Sequence, residues 1–230
     1  MADFAAETQS IKRVDKIVYT RNNKPSREHD SVISEQPLQI NLQWNEGVGG
    51  VKSKVFAITM RTLGDDQFLI LGLLFSEGII NSFSDIESVS PDNSVDDASG
   101  NSWQVHLVAG KQPKLTSIER YQTTYSSCGL CGATSLKALE LKNPPDLLRL
   151  TENCKLSSGF IHTLSDKMRV QQPLFTLTGG VHGAALFNQQ AQLLSVFEDI
   201  GRHNAVDKLI GQRLFEQQLP QTEKLLVMLV

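Results

Sequence analysis

The sequence predicts an α/β protein in which a small α+β unit is followed by a region of alternating strands and helices. Three observations support this. Alternating apolar residues begin near residue 32, an apolar helix follows at 68–75, and short apolar segments alternate with helical ones beyond residue 174. We therefore expect a poorly ordered segment over 1–30, an α+β domain over 31–116 and an α/β domain over 117–230.

The first half of the chain contains a predicted β-hairpin and little structure before it. Residues 1–30 are polar and hold at most a short strand at 17–19. Apolar residues alternate over 37–42 and 55–60, and every second side chain of a strand faces the same side. The glycine-rich stretch 47–50 between these strands predicts the hairpin loop.

An apolar helix is predicted after the hairpin. Gly64-Asp65-Asp66 supplies a cap and first-turn acids, the helix runs to about Ser76, and Gly78 is a stop signal. Residues 68–75 are apolar on nearly all sides, which is typical of a buried helix. We expect it between the sheet and another layer, either a second domain or a second subunit, and the latter would make a homodimer. Further strands are predicted at 86–89 and 103–108.

The second half predicts a parallel sheet. After a helix at about 157–171, the pattern is strand, helix, strand, helix, strand, at 174–177, 182–187, 193–197, 203–214 and 225–230. Ligands bind at the carboxyl ends of parallel strands. We therefore expect one ligand-binding edge, called the rim here, made of Gly179, Gly180, His182, Asp199, Gly201, Arg202 and His203. The chain stops inside the last apolar run, so we expect a C-terminally truncated domain.

Composition narrows the function classes. The 230 residues are 40% hydrophobic and 20% charged, which is ordinary for a globular protein. The net charge of -3 argues against broad nucleic-acid binding. No signal peptide begins the sequence, and the apolar stretch 68–75 is too short to cross a membrane. Three cysteines do not make a secreted disulfide framework, so we expect a cytoplasmic protein.

Two cysteines form the strongest chemical motif. Cys128 and Cys131 are flanked by glycines and precede a helix-like run, where helix amides favour a thiolate. Two ordinary core cysteines are one alternative. A zinc half-site is another, and its remaining ligands would come from Cys154, His162, His182 and His203. A thioredoxin-like dithiol is less favoured because the preceding residues are polar. A loop over 121–132 suits a thiolate that accepts sulfur as a persulfide and then meets an acceptor.

Two further motifs indicate anion binding. Thr178-Gly179-Gly180-Val181-His182 resembles a phosphate-cradling turn, although a tight turn without a ligand is equally compatible. Arg202 begins a helix and can bind a phosphate or carboxylate through two hydrogen bonds. His203 and Asp207 are spaced so that the carboxylate can orient the imidazole, and the alternative is a solvated charged face.

Four motifs in this order resemble the FdhD family of formate dehydrogenase accessory sulfur carriers. They are 75–80 (FSEGII), 127–132 (SCGLCG), 175–182 (FTLTGGVH) and 198–208 (EDIGRHNAVDK). The resemblance covers about residue 30 to the last residue. It implies a second domain with a cytidine deaminase-like fold. Deaminase chemistry does not carry over, because Gly183-Ala184 follows His182 where the H-x-E signature needs its glutamate.

The resemblance also implies a function. Cys128 would accept persulfide sulfur from a cysteine desulfurase, with Cys131 assisting its release. The acceptor would be the molybdenum bis-guanine-dinucleotide cofactor of formate dehydrogenase, bound only transiently, and no cofactor would be tightly held. Its guanine nucleotide would be bound by Thr178, Gly179, Gly180, His182, Arg202 and His203. Family members continue past Val230. The alternatives are a zinc-stabilised interaction module and a chaperone-like binder of apo-formate dehydrogenase without sulfur transfer.

Overall fold

The computed structural model describes residues 10–21, 24–92, 100–113, 157–219 and 224–229. The first group of strands and the first helix are β1 (Ile11–Val18), β2 (Ser26–Ile33), β3 (Glu35–Asn45), β4 (Val51–Thr62), α1 (Asp66–Ser76), β5 (Ile86–Pro91) and β6 (Ser102–Leu107). The second group is α2 (Ser158–Val170), α3 (Pro173–Thr178), β7 (His182–Asn188), β8 (Leu193–Asp199), α4 (Arg202–Phe215) and β9 (Lys224–Leu229). None of the helices in these ranges is long and apolar enough to cross a membrane.

The first sheet confirms the hairpin and the two later strands predicted from the sequence. Its strand order is β4-β3-β6-β5, and β3 and β4 pair antiparallel around a short 3-10 turn at 47–49. Leu38, Ile40 and Leu42 of β3 are fully buried against α1, as their alternation requires. The strand β6 then joins β3 in parallel. The α+β character of the first half is therefore confirmed.

The apolar helix α1 lies between this sheet and α4. Its buried face includes Leu69, Ile70 and Leu74. The helices α1 and α4 touch through two glycines: a Cβ at Gly72 would lie 1.8 Å from the backbone oxygen of Asp207, and a Cβ at Gly211 would lie 1.8 Å from that of Phe68. The covering layer predicted for this helix thus comes from the same chain. A second subunit is not needed to explain its apolar surface.

The second sheet is antiparallel, so the parallel arrangement predicted from the sequence is wrong. Its order is β8-β7-β9, and β7 pairs antiparallel with both neighbours. The predicted strand at 174–177 is the helix α3, which begins at Pro173, and the predicted helix at 182–187 is the strand β7. Strand β8, helix α4 and strand β9 are confirmed. Overall, the mixed α/β class is confirmed.

The sequence of β7 does not show the alternation of a strand, because both faces of the strand are buried. Ala185 and Phe187 pack towards α2, whereas Ala184 and Leu186 pack towards α4. A strand covered on both faces loses the alternation of apolar and polar residues. Without that alternation, only the length of the apolar run distinguishes a strand from a helix, and a run this short is compatible with both.

The amino-terminal region holds more structure than predicted. Where we expected a poorly ordered segment with a short strand at 17–19, β1 and β2 form an antiparallel hairpin of eight paired positions. Most of its side chains are exposed, and Lys16 and Asp30 form an ion pair across it at 3.0 Å. A ribbon exposed on both faces has no apolar alternation to reveal it in the sequence.

Candidate functional site

The residues predicted to form the rim lie at one end of the second sheet, although for a different reason from the one predicted. His182, the first residue of β7, pairs with Asp199, the last residue of β8. In an antiparallel pair, the start of one strand lies beside the end of its neighbour. The Gly179–Gly180 turn that leads into β7 and the Gly201–Arg202 segment that follows β8 are therefore neighbours.

The first half of the rim is the helix α3 and its glycine turn. The Glu198 carboxylate accepts hydrogen bonds from the backbone N–H groups of Leu174 at 2.9 Å and Phe175 at 2.8 Å, which holds the start of α3 on β8. At the other end, the Thr178 hydroxyl accepts from the backbone N–H of Gly180 at 3.3 Å. Gly179 has a φ of +64°, in the left-handed region that favours glycine.

The second half of the rim is the start of α4, which a buried ion pair organises. Asp199 Oδ2 lies 2.9 Å from Lys208 Nζ, and both side chains are at most 1% exposed. The other oxygen of Asp199 accepts from the backbone N–H of Gly201 at 2.8 Å and from Asn204 Nδ2 at 3.1 Å. The turn into α4 is therefore fixed by the last residue of β8.

The end of β4 joins this network, so the rim lies where the two sheets meet. Thr62 donates its backbone N–H to Asp199 at 3.1 Å, and its hydroxyl accepts from the N–H of Ile200 at 3.0 Å. Lys208 Nζ donates to the Thr62 carbonyl at 3.1 Å and to the Glu198 carbonyl at 3.3 Å. The ammonium thus has an acceptor for each of its three protons.

The structural roles of Glu198, Lys208 and Thr62 are not predicted from the sequence. The sequence contains one indication that Lys208 is paired. Lys208 shares a helical face with the buried Ala205 and Leu209, where a lysine is unexpected unless it has a partner. Thr62 carried no such indication, because its partners lie more than a hundred positions away in the sequence.

The nucleotide-binding candidates occupy different environments. Arg202 and His203 are exposed in the first turn of α4, and Gly179 and Gly180 are exposed as well. His182 is half-buried, and within the described part of the chain its Nδ1 has no hydrogen-bond partner. The phosphate-cradling turn predicted at 178–182 is not found, because Gly179 ends α3 and both glycine amides are paired, Gly179 with the Phe175 carbonyl at 2.7 Å and Gly180 with the Thr178 hydroxyl at 3.3 Å. The exposed guanidinium and imidazole at the start of α4 can still receive an anion.

The predicted pairing of His203 with Asp207 is wrong. Asp207 points into the crossing of α1 and α4, where its Oδ1 accepts a hydrogen bond from the Ser76 hydroxyl at 2.8 Å, whereas His203 faces solvent. Burial raises the pKa of Asp207 to about 7, the hydrogen bond from Ser76 opposes that rise, and the nearby Glu77 adds to it. Asp207 therefore belongs to the helix contact.

Comparison with known proteins identifies the family. The model of the FdhD/NarQ family matches residues 33–228. This chain belongs to the FdhD/NarQ family. Two relatives named sulfur carrier protein FdhD, from Sulfurisphaera tokodaii and Sulfolobus acidocaldarius, are each 38% identical to it. The matches cover 91% and 92% of this chain and 72% and 73% of those proteins. Another relative named sulfur carrier protein FdhD, from Streptomyces coelicolor, is 35% identical. That match covers 92% of this chain and 73% of the relative.

A solved structure shows the same fold. It is a crystal structure from Desulfotalea psychrophila described as a formate dehydrogenase accessory protein, and it matches with a TM-score of 0.57 at 21% identity. The match covers 90% of this chain and 70% of that chain. The fold of this chain is therefore one that a solved structure also shows.

The cysteine motif lies within the range that the FdhD/NarQ model matches. Cys128, Cys131 and the 121–132 loop fall outside the residues that the structure describes, as does Cys154. Among the described residues, no group of three or more histidine, cysteine, aspartate or glutamate side chains could hold a metal ion. The persulfide role of Cys128 and the binding role of the rim stay predictions.

Proposed function

We propose that this FdhD/NarQ chain is a cytoplasmic sulfur carrier for formate dehydrogenase. Cys128 would accept a sulfur atom from a cysteine desulfurase and deliver it to the molybdenum bis-guanine-dinucleotide cofactor. The observation that carries this proposal is the family match, which spans the Cys128-Gly129-Leu130-Cys131 motif, together with relatives that are named sulfur carriers.

The sulfur would move by thiol–persulfide exchange. The Cys128 thiolate attacks the outer sulfur of the desulfurase persulfide, the S–S bond of the donor breaks, and the donor thiolate leaves. For delivery, the Cys131 thiolate attacks the inner sulfur of the Cys128 persulfide. That step forms a Cys128–Cys131 disulfide and releases hydrosulfide to the acceptor. A thiol reductant then supplies two electrons to restore both thiols.

The rim would hold the guanine nucleotide of the acceptor. Its support is the juxtaposition of the exposed Gly179–Gly180 turn with Arg202 and His203 at the start of α4. The start of a helix such as α4 presents backbone N–H groups to a pyrophosphate, and a guanidinium binds phosphate oxygens through two hydrogen bonds. The rim residues contribute binding and orientation, while the thiols contribute the sulfur chemistry.

The test is intact-protein mass spectrometry after incubation with a cysteine desulfurase and cysteine. We expect one added sulfur atom on the wild-type chain, located at Cys128 by peptide mapping and absent from a Cys128→Ala variant. Cys154→Ser is the matched control and should load normally. A wild-type chain that gains no sulfur, or a Cys128→Ala variant that still carries it in the loop, contradicts the proposal. Stoichiometric zinc in place of sulfur would favour the interaction module.

A further inference from the structure

Two consecutive carboxylates on β8 attach two different helices to the sheet. Successive side chains of a strand point to opposite faces. Glu198 accordingly reaches the start of α3, and Asp199 reaches the start of α4. Each helix carries one half of the rim, because α3 ends in the glycine turn and α4 begins with Arg202.

The helix α3 depends on Glu198 more than an ordinary helix depends on its cap. It has six residues, and a helix this short is not stable by itself in water. Glu198 accepts two of its first backbone N–H groups, and hydrogen bonds to a charged acceptor are stronger than neutral ones. Since six residues span only about 9 Å, a shift at Leu174 reaches Gly179 directly.

Asp199 fixes the other half through a separate set of contacts. It binds the N–H of Gly201 and the side chains of Asn204 and Lys208, all on the α4 side, and the N–H of Thr62 on β4. None of these contacts involves α3.

We propose that Glu198 and Asp199 are positioning residues that independently set the two halves of the nucleotide-binding rim. Glu198 places the Gly179–Gly180 turn, and Asp199 places Arg202 and His203. Neither carboxylate touches the nucleotide. The inference rests on the proposed function, because the rim is taken to bind the guanine nucleotide.

The experiment combines amide hydrogen exchange with binding of GDP as the probe on the full chain. In Glu198→Gln, the side-chain amide replaces one acceptor oxygen, so one N–H of α3 loses its partner. We expect faster exchange confined to 174–180 and GDP affinity about tenfold weaker. In Asp199→Asn we expect faster exchange at 201–208 and at Thr62, whose N–H also binds Asp199, but not at 174–180. Asn204→Ala is a milder variant of that half, because it removes two hydrogen bonds, to Asp199 and to the Met60 carbonyl, without leaving a buried charge unpaired.

Asp85→Asn is the matched control. Asp85 also accepts from a backbone N–H, that of Asn81 at 2.7 Å, and from Lys111 at 2.8 Å. It precedes β5, at the opposite edge of the first sheet from β4. Its substitution should leave GDP binding and exchange at the rim at wild-type levels. Persulfide loading of Cys128 should also be unchanged in Asp85→Asn.

The outcomes separate this inference from the function on which it rests. If Glu198→Gln and Asp199→Asn speed up exchange at the same amides, the inference alone is overturned. The same follows if Glu198→Gln binds GDP as tightly as the wild type. A wild-type chain that loads sulfur but binds no GDP overturns the nucleotide rim and this inference with it. A chain that binds GDP, shows both local effects and takes up no sulfur supports the inference and contradicts the sulfur carrier.

Discussion

Asp199 and Asp207 are both buried carboxylates at α4, but their electrostatic surroundings are opposite. Asp199 pairs with the Lys208 ammonium and accepts three further hydrogen bonds. Asp207 accepts one hydrogen bond from the Ser76 hydroxyl, and its charged neighbour is the acidic Glu77. The rim thus contains a compensated charge, whereas the helix crossing contains a carboxyl that burial shifts towards its neutral form.

The protein therefore buries its polar groups in two different ways, one at the helix crossing and one at the rim. At the crossing, Gly72 and Gly211 let the two backbones touch, so the contact depends on close packing. At the rim, the packing is polar, and every donor of Lys208 has an acceptor. A polar junction with fixed geometry suits the placement of binding groups, and a close-packed crossing suits the attachment of one sheet layer to the other.

The largest effect is expected from removing the cation of the rim. Lys208→Met leaves the Asp199 carboxylate buried without a positive charge beside it, which lowers the free energy of unfolding by about 3–5 kcal/mol. Urea denaturation monitored by circular dichroism measures this. The double variant Asp199→Asn/Lys208→Met is the companion, because it removes the orphaned charge as well. The double variant should be more stable than Lys208→Met, and a less stable double variant would show that the ion pair is not what the lysine supplies.

A smaller but still large effect is expected from separating the two helices. Gly211→Ala places a methyl group against the backbone of Phe68, so α1 and α4 must move apart, at a cost of about 3 kcal/mol. Gly159→Ala in α2 is the matched control, because a Cβ there meets no atom within 4 Å. The control should change stability by less than about 1 kcal/mol, in the stabilising direction. A Gly211→Ala chain that keeps its stability as well as the Gly159→Ala control would mean that the crossing tolerates a methyl group.

The same comparison explains how much the sequence could predict. The hairpin of β3 and β4 and the helix α1 follow local rules, since each shows its own periodicity or continuous apolar surface. The residues named for the rim lie at the same end of the second sheet even though the sheet is antiparallel instead of parallel. In either arrangement, the chain passes the same end of the sheet between 178 and 182 and again between 199 and 203.

The errors arise where tertiary contacts decide. The apolar run 174–177 is too short to distinguish strand from helix, and only Pro173 favoured the helix start. The spacing of His203 and Asp207 allows a contact, but the direction of Asp207 is set by the close approach of α1, which no local pattern encodes. The Asp199–Lys208–Thr62 network depends in the same way on the approach of β4.

Over the one pH unit from pH 5 to pH 6, the smallest of the three effects is a pH dependence that Asp207 imposes on stability. Its pKa is about 7 in the folded chain, against the ordinary aspartate value of 3.8. Below 3.8, both states are protonated and the folded state bears no penalty. Between 3.8 and about 7, the unfolded state ionises first, so stability falls as pH rises, by at most about 1.4 kcal/mol per pH unit. Above about 7, the penalty is constant.

Asp207→Asn tests this, because an amide keeps an oxygen acceptor for Ser76 and cannot ionise. Urea unfolding at pH 5 and pH 6 should show a decrease in wild-type stability that is smaller or absent in the variant. Asp85→Asn is the control with the opposite sign. Burial raises the pKa of Asp85, but the N–H of Asn81 and the Lys111 ammonium outweigh burial and hold it below its usual value. Asp85 therefore affects stability only in more acidic solution, as pH falls through its lowered pKa. If Asp207→Asn and the wild type lose stability in parallel between pH 5 and pH 6, Asp207 is ionised throughout that range, and the electrostatic contrast with Asp199 does not exist.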